Sequence, residues 1–138
     1  MSSTHKNKTF ATFLALTLGS LGAHRFYLRG SVDKLGLLHV ASLPVAGLVY
    51  GLAPQADWFY KILPLLLSAI AGFLQALIIG LTSDEKFDAA FNANSAKKSD
   101  SHWILALMLV VTMMGGMGVL IWTMSRLVDL MYTGGAYG

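Results

Sequence analysis

Long apolar segments alternate with short charged stretches along the chain. Dividing the sequence at its charged residues leaves four such segments: 9–28, 35–53, 62–82 and 103–125. Each has about the 20 residues that an α-helix needs to cross a bilayer. The first is the weakest, because its uncharged part ends at Ala23. The pattern predicts an all-α polytopic membrane protein with about four transmembrane helices.

Composition supports a bilayer rather than water as the solvent of these helices. Hydrophobic residues make up 55% of the 138 residues and charged residues only 12%, whereas soluble domains average about 25% charged residues. The formal net charge of +3 comes from scattered basic residues, which fits attraction to anionic lipids better than a nucleic-acid partner. The chain has no cysteine, so disulfides and thiolate metal sites are excluded.

The N-terminus has two interpretations, a cleavable signal peptide or a retained membrane helix. Lys6 and Lys8 precede an apolar run that begins at Phe10, as they would in a signal peptide. A small-residue cleavage site followed by a polar mature start is missing, since Ala23 leads directly into His24. We therefore expect the first helix to be retained.

Small residues recur at every fourth position in the first and third segments, which places them on one face of each helix. Such faces let helix backbones approach closely in lipid. They consist of Ala11, Ala15, Gly19 and Ala23, and of Ser68, Gly72, Ala76 and Gly80. We expect Gly19 to contact Gly72 or Gly80, or the faces to bind another membrane protein or a second copy. The alternative is that alanine and glycine are simply common in membrane helices.

A short helix is predicted after the third segment, within residues 82–94. Thr82 and Glu85 match a capping box at its start, and Phe87 and Phe91 lie one helical turn apart. We expect this helix to lie at the membrane interface with both rings toward the bilayer surface; the alternative is a solvated loop. The stretch that follows is rich in Asn, Ser and Lys, which indicates a linker.

The turn after the first segment carries a motif that resembles the signature of the TM-two domain family. The motif consists of Gly19, Gly22, His24, Arg25, Phe26, Tyr27, Leu28 and Gly30. A second run resembles the segment after the second family helix in many bacterial members: Ser83, Asp84, Glu85, Phe87 and Asn92. The resemblance implies two membrane helices joined by a short turn, here with an extra helix inserted between the motifs. It implies an interaction or scaffold role, since bacterial members have no established reaction.

Two units are expected on this basis. Residues 1–94 would form the TM-two-like module with its inserted helix, and residues 95–138 a linker and a C-terminal transmembrane helix with a polar tail. Pro44 should kink the second helix, whereas Pro64 should fall in the first turn of the third, where its missing N–H matters little.

The charged turn between the first two segments holds the main candidates for specific side-chain contacts. We expect Arg25 or Arg29 to pair with Asp33, because a charge near lipid seeks a partner or the interface. His24 and His39 flank this turn and could face each other. Two facing imidazoles are potential ligands of a haem or a metal, but further ligands are missing, so hydrogen bonding within the turn is favoured.

The function that follows is non-enzymatic and needs no cofactor. A nucleophile with its base, a metal cluster and a phosphate-binding loop are all missing from the sequence. A small channel or transporter is the alternative, but no Asp, Glu, Lys or Arg lies deep in a segment. Gln75, the one strongly polar amide there, is expected to hydrogen-bond across helices. We expect an accessory or scaffold subunit, or a homo-oligomer, that acts through helix–helix contacts.

Orientation is predicted from the distribution of Lys and Arg, which are enriched on the cytoplasmic side. With four spans, the turn at 24–34 and the segment 82–102 share one side, and both termini share the other. The first side carries the larger number of basic residues. This predicts a protein of the bacterial inner membrane with both termini on the non-cytoplasmic side.

Overall fold

The computed structural model describes residues 4–138, which form helices joined by short connections. The helices are α1 (Lys8–Leu18), α2 (Ala23–Arg29), α3 (Lys34–Leu52), α4 (Trp58–Leu81), α5 (Asp84–Phe91) and α6 (Trp103–Thr133). A 3₁₀ turn, Gly19–Leu21, follows α1. Within residues 4–138, α3, α4 and α6 are the three helices long and apolar enough to cross a membrane. The chain is an all-α integral membrane protein.

The first apolar segment is not the continuous transmembrane helix that its sequence predicts. After α1 the chain turns at Gly22, whose φ of 70° is left-handed, and α2 runs back along α1. The Tyr27 hydroxyl accepts a hydrogen bond from the backbone N–H of Asn7 at 2.8 Å. The Tyr27 ring also lies edge-on to Phe10, with ring centroids 5.1 Å apart. Residues 8–29 therefore form a helical hairpin, the N-terminal hairpin, whose two ends lie on the same side of the molecule.

Two glycines make the N-terminal hairpin possible. At Gly22 a positive φ is available to glycine without steric cost, and an added Cβ would lie 2.9 Å from the carbonyl oxygen of Gly36. At Gly19 the backbone crosses α4 so closely that an added Cβ would lie 2.8 Å from the Cα of Gly72. The predicted contact between Gly19 and Gly72 is thus present, near the tip of the hairpin and within one chain.

Helix α4 is the centre of the molecule, because the N-terminal hairpin, α3 and α6 all pack against it. Its small residues serve different neighbours. Gly72 faces the hairpin, whereas Gly80 faces the side chain of Leu109 on α6. The small residues of α4 are therefore used for packing inside the chain, against two different partners.

Both transmembrane prolines lie inside helices. Pro44 is in the interior of α3, as its position in the apolar segment predicts. Pro64 is also interior, and its predicted place in the first turn was wrong because α4 begins earlier, at Trp58. The earlier start is explained by Asp57, whose carboxylate caps the helix by accepting a hydrogen bond from the Phe59 N–H at 2.8 Å.

The N-terminal residues, the α2–α3 connection, α5 and the predicted linker meet at one end of the molecule. This basic end comprises residues 5–8, 25–34 and 84–101. Lys8 forms an ion pair with Asp84 at 2.9 Å. The Asn92 side chain accepts a hydrogen bond from the Lys6 backbone N–H and donates one to the Lys6 carbonyl oxygen. The linker is therefore anchored to the N-terminus.

The opposite end is closed by Arg126 of α6. Its guanidinium forms ion pairs with Asp57 at 3.0 Å and with Asp129 at 2.7 Å. Helix α6 continues to Thr133, so most of the predicted polar tail is helical. Residues 5–8 and the C-terminal end of α6 thus lie at opposite ends of the molecule. Four spans would place both termini on one side, whereas the N-terminal hairpin returns to the end from which it started.

Helix α5 differs in detail from its prediction. Its N-cap is Ser83, whose hydroxyl accepts a hydrogen bond from the Lys86 N–H, so the capping box at Thr82 was misplaced by one residue. Phe87 is only 1% exposed and Phe91 is half-buried. Phe87 therefore does not face the bilayer surface as predicted, because it is buried against protein, with residues of α2 and α4 nearby.

Candidate functional site

A chain of polar side chains crosses the interior between α2, α4 and α3. Gln75 of α4 accepts a hydrogen bond at its Oε1 from Nε2 of His24 on α2. The amide nitrogen of Gln75 lies 3.0 Å from Nε2 of His39 on α3. Nδ1 of His39 lies 2.7 Å from the hydroxyl of Ser68, which donates to the carbonyl oxygen of Ser20 at 2.6 Å. Three helices and the hairpin turn are joined by this chain.

Each hydrogen bond in the chain has a defined direction. Ser68 gives its one hydroxyl proton to Ser20, so the Ser68 oxygen must accept from a protonated Nδ1 of His39. The Nε2 of neutral His39 is then the acceptor for the Gln75 amide N–H. The Gln75 oxygen in turn accepts from a protonated Nε2 of His24. Both imidazoles are therefore held as single, opposite tautomers.

The chain ends at a polar atom without a partner. His24 is 1% exposed, and its Nδ1 is the buried side-chain nitrogen or oxygen that has no hydrogen-bond partner among residues 4–138. With Nε2 protonated, Nδ1 of the neutral ring is an acceptor. A buried acceptor without a donor is costly, so this position calls for a donor that the chain itself does not supply.

Ser68 explains how the helix break in the N-terminal hairpin is tolerated. A break leaves backbone carbonyl groups without helical partners, and lipid cannot satisfy them. The Ser68 hydroxyl supplies a donor to the Ser20 carbonyl. Ser68 was expected to act as a small packing residue, and its hydroxyl has this second role because the break brings the Ser20 carbonyl within reach.

An ion pair closes the turn between α2 and α3. Nε and Nη2 of Arg25 donate to the two carboxylate oxygens of Asp33 at 2.6 and 3.1 Å. Asp33 also caps α3 by accepting from the Gly36 N–H at 2.7 Å. The Arg25 hydrogen bonds, together with that backbone bond, lower the pKa of Asp33 to about 2. The sequence predicted that Arg25 or Arg29 would pair with Asp33, and the structure shows that it is Arg25.

Two openings lie on either side of the Gln75 chain. The lateral groove, between α3 and α4, has a volume of about 450 Å³. Its polar lining residues are His39, Ser42, Ser68 and Gln75, and the rest are apolar. The end cavity, between α2, α4 and α5, has a volume of about 200 Å³ and is lined in part by His24, Arg25, Arg29, Gln75 and Thr82. Gln75 borders both.

The remaining predicted packing residues are distributed as follows. Ala11, Ala15 and Ala76 are at most 1% exposed and, with Gly19 and Gly72, lie on the helices that meet in the hairpin contact. Ala23 begins α2, so it does not extend the α1 face. The four-residue spacing wrongly placed Ala23 on the α1 face, because the spacing continues regularly across the turn at Gly22.

The family turn residues form a local unit around α2. Phe26 packs against Gly36, since an added Cβ there would lie 2.8 Å from its ring. Tyr27 binds the N-terminus through Asn7. His24 and His39 have ring centroids 5.8 Å apart, but Gln75 of α4 joins them, so their bonding is not confined to the turn. Within residues 4–138, no group of three or more His, Cys, Asp or Glu could hold a metal ion.

Comparison with known proteins agrees with the motif in this turn. Residues 4–52 match the family model of the TM2 domain, a range that covers α1, α2 and α3 and ends before α4. Helix α3, which was predicted to be an insertion, lies inside this range. No curated protein and no solved structure matches the chain. Over residues 4–52, with Arg25, Phe26 and Tyr27 near the middle of the matching range, this chain is similar to the TM2 domain family.

Proposed function

We propose that this chain is a non-enzymatic membrane protein that acts through helix–helix contacts, with the lateral groove as the seat for a transmembrane helix of a partner protein. The role is that of an accessory or scaffold subunit. The observation that carries the proposal is the polar lining of a groove that opens between two membrane-spanning helices.

The polar groups of the groove wall keep capacity for further hydrogen bonds, since the Gln75 amide has a second N–H and the Ser42 hydroxyl oxygen can still accept. Lipid tails offer no hydrogen bonds, whereas a helix with small or hydroxyl residues can both fill a groove and bond to its walls. Leu38 and Leu67 on the groove walls are 66% and 57% exposed and would provide apolar contact.

The small-residue faces of α1 and α4 are not available for this role. They are buried between the N-terminal hairpin, α4 and α6. The partner surface is therefore proposed at the groove rather than at those faces. A small channel or transporter is less favoured, because Thr112 donates its hydroxyl to the Met108 carbonyl and lines neither opening beside Gln75.

We also propose that the chain lies in the bacterial inner membrane with its basic end in the cytoplasm. Eight of the ten Lys and Arg residues lie at or next to that end: Lys6, Lys8, Arg25, Arg29, Lys34, Lys86, Lys97 and Lys98. Lys61 and Arg126 are at the other end. Because basic residues near span ends are enriched on the cytoplasmic side, this distribution supports a cytoplasmic N-terminus and a C-terminus on the far side.

The helix-docking proposal is tested by photo-crosslinking in intact membranes. A photoreactive amino acid replaces Leu67 on the groove wall, and a matched variant carries it at Ile121 of α6, which is 61% exposed. We expect a discrete crosslinked protein from position 67 and only lipid adducts from position 121. Crosslinks to a second copy would indicate a homo-oligomer instead, and lipid adducts alone at both positions would reject the proposal.

A further inference from the structure

We propose that the end cavity binds the headgroup of an anionic phospholipid, with the phosphate on Arg25 and Arg29 and a headgroup hydroxyl on Nδ1 of His24. The cavity lies where α4 ends and α5 begins, so it is at the depth of lipid headgroups if α4 spans the bilayer. Its volume of about 200 Å³ exceeds the share of a single water molecule, about 30 Å³.

The two arginines give this cavity its preference for an anion. Arg25 uses Nε and Nη2 for Asp33, which leaves other guanidinium N–H groups for a ligand. Arg29 has no ion-pair partner within the described range, 4–138, and its guanidinium lies 5.7 Å from the centre of the Phe91 ring. Arginine binds phosphate strongly because its planar N–H groups match the phosphate oxygens. The carboxylate of Asp33 neutralises one arginine, and the other keeps the cavity positive.

His24 adds a requirement that phosphate alone does not meet. The hydrogen-bond chain through Gln75 fixes its Nε2 as the protonated nitrogen. The buried Nδ1 is therefore an acceptor, and the oxygens of a phosphodiester cannot donate to it. A ligand that satisfies both the arginines and His24 needs an anionic phosphate and a hydroxyl donor in one headgroup, as phosphatidylglycerol has.

The surface next to the cavity favours a lipid over a soluble phosphate ester. Ile78 lines the cavity and is 58% exposed. Leu74 and Leu81 lie four residues before it and three after it, which places all three on one face of α4, and they are 59% and 72% exposed. This apolar face leads from the cavity along a membrane-spanning helix, where acyl chains would lie.

Native mass spectrometry of the full chain in neutral detergent tests the assignment. Phosphatidylglycerol is compared with phosphatidylcholine, with phosphatidylethanolamine and with phosphatidylmethanol, which keeps the phosphodiester but lacks the hydroxyl. We expect phosphatidylglycerol to bind tightest, and Arg29→Ala to weaken it about tenfold, the usual worth of a charge-assisted hydrogen bond. Lys97→Ala, which removes an exposed positive charge at the same end, is the matched control and should bind like the parent.

Several outcomes would overturn the proposal. If Arg29→Ala and Lys97→Ala weaken phosphatidylglycerol binding equally, the lipid is attracted to the basic end in general and does not occupy a specific site. Equal binding of phosphatidylglycerol and phosphatidylmethanol would remove the role of His24, and equal binding of the zwitterionic lipids would remove the role of charge. Displacement of phosphatidylglycerol by millimolar glycerol phosphate would assign the cavity to a soluble ester. Circular dichroism checks that each variant is helical.

Discussion

At the residue scale, one amide organises the interior of the molecule. Gln75 can donate and accept at the same time, which is why it can stand between a histidine that donates and a histidine that accepts. A carboxylate could not do both, and an apolar residue would leave two buried imidazole nitrogens without partners. That Gln75 hydrogen-bonds across helices was predicted from the sequence. Its partners were not, because they depend on the turn that carries His24 back toward α4.

The carboxylate of Asp88 provides a residue-scale prediction about pH. Hydrogen bonds from the Asn92 side chain, at 2.7 Å, and from Ser99 lower the pKa of Asp88 to about 2. Since the folded pKa lies below the ordinary value of 3.8, the stabilisation is complete above pH 3.8 and is lost as the pH falls toward 2.

We therefore expect Asp88→Asn to lower the unfolding temperature in detergent at pH 6 and to have little effect at pH 2. Thermal unfolding followed by circular dichroism at several pH values measures the difference between variant and parent. Asp100→Asn, at an exposed position in the same connection, is the control and should match the parent throughout. If Asp88→Asn lowers the unfolding temperature by the same amount at pH 6 and at pH 2, the ionised Asp88 carboxylate does not stabilise the fold as described.

At the element scale, the N-terminal hairpin is the feature that sequence patterns miss. Hydrophobic periodicity reports which faces are apolar, and a helix that returns halfway is as apolar as one that crosses. Gly22 is the residue that could have indicated the turn, because glycine readily adopts a left-handed conformation. The four-residue spacing concealed it, because Gly19 and Ala23 on either side of Gly22 fit a single continuous helix face. The close contact of Gly19 with Gly72 was predictable, because close backbone approach in lipid depends on small residues alone.

The glycine contact gives an element-scale prediction about stability. Gly19→Leu and Gly72→Leu each place a side chain where even a Cβ would lie within 3 Å of the facing backbone. Overpacking of this kind costs about 1–3 kcal/mol or more, so we expect both variants to unfold at lower denaturant concentration. Gly118→Leu is the matched control, because its Cβ would meet no heavy atom of residues 4–138 within 4 Å. Equal stability of all three variants would show that the hairpin does not pack on α4 as described.

At the scale of the whole molecule, the hairpin decides which parts of the chain share a side of the membrane. A four-span arrangement splits the basic residues almost evenly, whereas the structure gathers eight of ten at one end. The same ten Lys and Arg residues are counted in both arrangements. Their assignment to sides changed because residues 8–29 start and finish at the basic end. Two hydrogen bonds between the Asn92 side chain and the Lys6 backbone, one in each direction, then fix residue 6 to that end.

Cysteine labelling tests this arrangement, since the chain has no cysteine of its own. Single cysteines replace Thr4, Ser95 and Ala136, and intact cells are treated with a membrane-impermeant maleimide before and after permeabilisation. With the basic end in the cytoplasm, position 136 should react in intact cells, whereas positions 4 and 95 should react only after permeabilisation. A four-span protein would instead show positions 4 and 136 reacting alike and position 95 differing from both. Because that pattern depends only on whether residues 8–29 cross the bilayer, it decides between a hairpin and a span. The side on which position 95 reacts then decides the orientation independently.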